Sequence, residues 1–164
     1  GPSMSRGSLI VVFALLALAA PAVAGGPGDG AWFAADGRDC KLWHPDPAPG
    51  QKVRWRGKCA GGVAEDSHIA EWYTGRRPPD RCECTYKAGR AHGLGVYRWA
   101  DGVTYAGEFK GGRIEGEGQI RYPDNETYVG AFKNGLPNGF GTLYLPDNTR
   151  IMGKFKDGEL VKSP

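Results

Sequence analysis

The sequence predicts an all-β protein, an elongated single-layer antiparallel sheet of tandem β-hairpin repeats, and three observations carry that prediction. The C-terminal half superimposes on itself at a shift of 23 residues, apolar and polar residues alternate strictly inside each period, and the chain holds 27 Gly and 12 Pro. So much Gly and Pro excludes a helical domain and leaves either disorder or a turn-rich β architecture. The period decides between them. Self-similarity at roughly 20–50 residues marks an array in which each unit buries its apolar face only against its neighbours.

The elements follow in chain order. Gly1-Pro2-Ser3 ahead of Met4 has the form of an expression scar and is set aside. Residues 4–24 read as a secretory signal peptide, with Arg6, an apolar run from Leu9 to Ala20, and Ala22-Val23-Ala24 before the expected cleavage point. That run falls short of the ~20 residues a spanning helix needs. No Cys follows it where a lipid would be attached, so a soluble periplasmic or secreted protein is expected. Losing the leader takes the 21 basic residues to 20, against 18 acidic. Such balance lacks the concentrated basic surface that holds phosphates, so no nucleic-acid partner is expected.

Residues 25–54 are expected to form a lead-in and a first strand. Residues 25–31 carry too few apolar side chains to order themselves. Trp32-Phe33 should dock on the start of the sheet, and Cys40-Lys-Leu-Trp43 reads as the lone second strand of an N-terminal half-unit. The Pro-rich stretch from His44 to Gly50 is a loop leading to the Trp55 strand.

From there the repeat register takes over. Tyr105-Ala-Gly107-Glu-Phe109 superimposes on Tyr128-Val-Gly130-Ala-Phe132 and on Ile151-Met-Gly153-Lys-Phe155, with Gly112, Gly135 and Gly158 coinciding downstream. Tyr105, Gly107 and Phe109 point one way, and Thr104, Ala106 and Glu108 the other, as on a strand. A second strand places Gly116, Gly118, Ile120 and Tyr122 on a common face. Gly111-Gly112 and Pro123-Asp124-Asn125 supply the turns. Each unit is then a hairpin with an aromatic and a polar face, and glycines inside its strands imply rings packed close over them.

The pattern Tyr-x-Gly-x-Phe-x-x-Gly-x-x-x-Gly-x-Gly, complete at 105–118 and 128–141, resembles the MORN repeat family. The array at 55–164 then divides into a degenerate unit at 55–81, units at 82–104, 105–127 and 128–150, and a partial unit at 151–164. Unit 82–104 has Cys82 and Cys84 where Tyr and Gly belong. The degenerate unit opens with Trp55-Arg-Gly57-Lys-Cys59 but has Asp66 and His68 in place of the Gly pair, which predicts a distorted hairpin. Gly75 to Asp80, with Arg76-Arg77-Pro78-Pro79, is an insertion between these two. The resemblance implies a long twisted sheet used for protein association and sometimes for membrane phospholipid. It implies no catalysis and no cofactor.

Four cysteines in an exported chain point to disulfides. A register opposing Trp43 to Trp55 brings Cys40 near Cys59 on adjacent strands, within bonding separation. Equivalent strands of neighbouring repeats lie about 9–10 Å apart, too far for Cys59 to reach Cys84. That leaves Cys82 and Cys84 to each other or to another molecule. Zinc held by Cys82, Cys84 and a histidine would lack a second pair at ligand spacing, so no metal is expected. His44, His68 and His92 belong to no triad, and the adjacent residues Asp66-Ser67-His68 cannot converge as nucleophilic catalysis requires. A hydrolase is therefore only a remote alternative.

Two charge ladders follow the period. Lys87, Lys110, Lys133 and Lys156, reinforced by Arg90 and Arg113, line one hairpin end, while Asp101, Asp124 and Asp147 line the other. The acids suit their turns, since Asp side chains cap turn amides. The basic edge is a candidate surface for an acidic partner or anionic lipid. On the polar face the last units carry Val129, Phe140, Tyr144 and Met152 where the preceding unit has Ala106, Glu117, Arg121 and Val129, a candidate partner surface unless the tail residues Leu160 and Val161 cover it. The strand at 151–156 lacks a following repeat, and such an open edge predicts a homodimer through the C-terminal unit. These expectations describe a non-enzymatic protein-binding or assembly scaffold, with peripheral binding of anionic phospholipid as the alternative.

Overall fold

The computed structural model of the chain describes residues 29–162. The scar, the signal-peptide segment and residues 25–28 of the lead-in lie outside that range. The described residues contain no helix and form one open 14-stranded sheet. The all-β repeat architecture expected from the sequence is what folds.

The repeat region is built from successive antiparallel hairpins. β9 (Thr104–Lys110), β10 (Arg113–Arg121), β11 (Thr127–Lys133), β12 (Leu136–Tyr144) and β13 (Arg150–Lys156) pair each with the next. β5 (Val63–Tyr73), β6 (Asp80–Lys87), the short β7 (Arg90–Ala91) and β8 (Gly93–Arg98) lead into them. The turn glycines also join neighbouring units. Gly89, Gly112, Gly135 and Gly158 sit at φ 81°, 89°, 80° and 87°, where a side chain would be strained. Their N–H groups donate to the carbonyls of Ala64, Ala91, Ile114 and Pro137 at 2.9–3.0 Å.

The core is a file of rings. Phe109, Tyr105, Phe132, Tyr128 and Phe155 meet edge to face in that order, with centroids 5.4, 5.1, 5.2 and 5.0 Å apart. This is the preferred geometry for aromatic quadrupoles. Each ring is at most 4% exposed. The Tyr105 and Tyr128 hydroxyls donate to the carbonyls of Glu108 and Ala131 at 2.8 and 2.9 Å, so neither polar tip is stranded. The Tyr105 ring lies on Gly118 and the Tyr128 ring on Gly141, where any Cβ would collide with the ring. That contact explains the second glycine of each Gly-x-Gly pair.

The N-terminal part departs from expectation in two ways. The 41–44 segment is not a lone strand. β1 (Ala31–Ala34) and β2 (Lys41–His44) form their own hairpin, with Trp32 opposite Trp43. Nor does Trp43 oppose Trp55. β3 (Lys52–Trp55) and β4 (Lys58–Ala60) both pair with β5, while β2 touches β5 through one parallel pair, Lys41 with Val63, so the sheet is mixed. β1 pairs along one edge of β2, and β5 and the turn glycines take the other, so β3 has no free edge of β2 to join. β2 instead runs past the turn row. The Lys41 and Trp43 N–H groups donate to Gly62 and Gly89 at 2.9 and 2.8 Å, and the Trp43 ring rests on Gly112. Phe33 packs edge-on against Trp72 at 5.5 Å, docking the hairpin on the sheet.

Cys40 and Cys59 are bonded, with Cα atoms 5.9 Å apart, although the expected register is absent. The start of β5 brings them together, because Lys41 pairs with Val63 and Cys59 with Ala64. Cys82 and Cys84 bond to each other on the inner face, where the next two units carry the Tyr105 and Tyr128 rings.

The C-terminal end differs as well. Residues 151–156 are not the last strand, because β14 (Glu159–Lys162) pairs with β13, setting Leu160 opposite Phe155 and Glu159 opposite Lys156. The Asp157-Gly158 turn repeats the chemistry of the earlier ones, so the chain doubles back in register. The free edge of the sheet at this end belongs to β14.

Candidate functional site

Strand alternation fixes which side chains the outer face presents. Val129, Thr142 and Met152 are aligned across β11, β12 and β13, and Phe140 stands opposite Lys154. Phe140 is 75% exposed, Met152 51% and Val129 40%, with Tyr144 half-buried on the same face. Leu160 turns inward onto the core, and Val161 remains 56% exposed, so the tail leaves Phe140 and Met152 open.

The basic edge divides into two sets. Lys87, Lys110, Lys133 and Lys156 are exposed at the hairpin ends, as the period requires. Arg90 and Arg113 are directed elsewhere, with guanidinium carbons 4.1 and 5.1 Å from the centre of the Trp43 ring. The N-terminal hairpin thus uses two of the six expected edge cations as packing partners. At the opposite end Asp101, Asp124 and Asp147 each accept an N–H two residues on, from Val103, Glu126 and Thr149, at 3.1, 3.0 and 2.9 Å. They are turn caps.

Where the hairpin and the Pro loop fold against the aromatic face they leave a cleft that the period did not predict. Its cavity measures about 80 Å³. His44, Pro45 and Asp46 form one wall, Trp72, Tyr97 and Trp99 another, and Arg113, Ile114 and Asn134 the far end. His44 is a wall residue. Its Nδ1 accepts the Asp46 N–H at 3.0 Å, which puts the ring proton on Nε2, 3.4 Å from the Tyr97 hydroxyl. Burial pushes its pKa down to about 4, so the ring is neutral near pH 7. The Tyr97 hydroxyl donates to Asp80 at 3.4 Å, and burial raises the pKa of both groups. No exposed nucleophile belongs to this chain of contacts. Among the described residues, no group of three or more His, Cys, Asp or Glu could hold a metal ion.

One buried acid breaks the repeat pattern. Glu126 is 3% exposed, and its Oε1 and the Tyr122 hydroxyl have no hydrogen-bond partner among the described residues. Burial, with Asp124 adding to it, pushes the Glu126 carboxyl up to about 7. A folded pKa above the unfolded one means that Glu126 favours the fold most at acid pH. That contribution is lost as pH rises from the ordinary carboxylate range through about 7. Glu126→Gln should therefore stabilise the protein at pH 8 by on the order of 1–3 kcal/mol and do little at pH 5. Thermal melts at the two pH values test this, and an equal effect at both would contradict it.

These features define a class, a tandem β-hairpin repeat protein with a ring-filled core. The MORN repeat model matches residues 85–104, 105–127 and 128–150, and this part of the chain belongs to the MORN repeat family. No curated protein matches the chain. The match begins after Cys84, where the bonded cysteines replace the Tyr and Gly of the pattern.

Proposed function

We propose that the chain is a non-enzymatic protein-binding or assembly scaffold of the periplasm, with its contact surface on the outer face of the last repeats. One observation carries this reading: Phe140, Met152 and Val129 stand exposed together on a sheet whose own tail does not cover Phe140 and Met152. Large apolar side chains clustered on an otherwise polar surface mark association sites, and a rigid array presents them without an ordering cost. The leader-like segment and the two disulfides support an oxidising compartment. The lipid reading has less behind it, since Arg90 and Arg113 are directed at Trp43.

The test compares the mature protein with a Phe140→Glu, Met152→Glu variant. We expect co-purification of a partner from the periplasm, or concentration-dependent self-association in sedimentation, and loss of either in the variant at unchanged melting temperature. Binding that ignores both substitutions would move the surface elsewhere.

A further inference from the structure

The file of core rings has a gap. From Phe109 to Phe155 phenylalanine and tyrosine alternate, and each tyrosine meets the phenylalanine of its own unit and that of the next. One period upstream the same register puts Tyr86 in the Phe place and Cys82 in the Tyr place, so the missing member is a ring between Tyr86 and Phe109. Tyr86 meets Trp55 and Phe109 meets Tyr105, but Tyr86 and Phe109 make no ring contact with each other. The Cys84 sulfur lies against Gly95 as the Tyr105 ring lies against Gly118, so the disulfide covers the floor of the vacated seat. Two short side chains fill less space than a phenol ring. The remainder is open, for Cys82, Tyr86 and Phe109 all line the aromatic cleft under the Pro loop, whose cavity measures about 80 Å³.

We propose that this cleft is a binding site for a small neutral molecule with one aromatic ring, seated where the following units place a tyrosine. Tyr86 and Phe109 then flank the guest as Phe109 and Phe132 flank Tyr105, and edge-to-face contact favours an aromatic over an aliphatic guest. Cavities left by truncating one large side chain take up small aromatic molecules in the same way. Trp72, Tyr97 and Trp99 complete the wall, and the volume limits the guest to a single ring. The charged groups of the lining, Asp46 and Arg113, are of opposite sign and interact, so the guest need carry no charge. The cleft lies on the aromatic face and the Phe140–Met152 surface on the outer one, so this site and the scaffold reading can fail separately.

The probe is p-cresol, the side chain that Cys82 replaces, with its saturated counterpart methylcyclohexanol beside it. In an NMR titration of the mature protein the indole N–H signals of Trp72 and Trp99 should shift saturably with p-cresol, and the aliphatic probe should bind at least about tenfold more weakly. Cys82→Tyr with Cys84→Gly restores the ring and the glycine of the repeat and should abolish binding. Cys82→Ala with Cys84→Ala removes the disulfide but leaves the seat open, and should keep it. If the tyrosine variant does not fold, Ile114→Phe takes its place, narrowing the cleft from a half-exposed wall position with the disulfide intact and weakening binding by at least about tenfold. No saturation within the solubility of p-cresol, equal binding of the two probes, or undiminished binding in the variant that fills the cleft would overturn the proposal. So would loss of binding in the alanine pair, which would tie the site to the disulfide instead of the vacated seat.

Discussion

Phe132→Ala is expected to lower stability by about 3–5 kcal/mol, the usual loss when a buried phenylalanine is truncated. The site is unforgiving for a structural reason. Phe132 is 4% exposed and bridges Tyr105 and Tyr128, with ring centroids 5.1 and 5.2 Å from theirs. Its removal opens a void and breaks two edge-to-face pairs, each worth ~0.5–1.5 kcal/mol beyond its area. The tyrosines cannot close the gap, because their hydroxyls are tied to Glu108 and Ala131. Urea or thermal unfolding reads the effect. A melting temperature within about a degree of the parent would mean that the ring file is not what holds the units together.

Replacing Cys40 and Cys59 with serine should cost roughly 3 kcal/mol, the chain-entropy value for a loop of this size. The bond spans 19 residues and ties the strip before β2 to β4. Without it the N-terminal hairpin is held by Lys41 on Gly62, Trp43 on Gly89 and the rings of Phe33 and Trp72. The double serine variant should melt earlier, and peptide mapping of the parent without reductant should recover a Cys40–Cys59 linked pair. Cys59 joined to Cys82 or Cys84 would contradict the strand pairing described above.

The repeat region was legible because its determinants are local. Strand parity, turn glycines and the Tyr-x-Gly-x-Phe spacing act within one period, so the ring file and the exposed Phe140 and Met152 could be placed from residue order. The N-terminal hairpin was not legible in the same way. Its partners, Gly62, Gly89, Gly112, Arg90 and Arg113, lie far along the chain, and nothing near Trp43 signals that its ring will lie on a turn glycine three units away. The cleft was missed for the same reason, since its walls come from segments that only the folded hairpin brings together. Cys40 meets Cys59 without the Trp43–Trp55 register, because Lys41 pairs with Val63 on β5 and Cys59 with Ala64 next to it. At the C-terminus the Asp157-Gly158 turn was visible, but four strand residues after it are too few for a period to announce.

From β5 onward the strands lie in the sheet in chain order, with β7 the one side branch. Cooperativity in such an object is a nearest-neighbour affair, and its two ends are unequal. One end is closed by a disulfide-tied hairpin, while the other finishes in the four residues of β14. Amide hydrogen exchange should therefore grade along the molecule, with β14 opening first, β13 next, and the strands around Tyr105 exchanging only when the whole array comes apart. The chain would behave as a zipper with one stop, fraying from its C-terminal end inward.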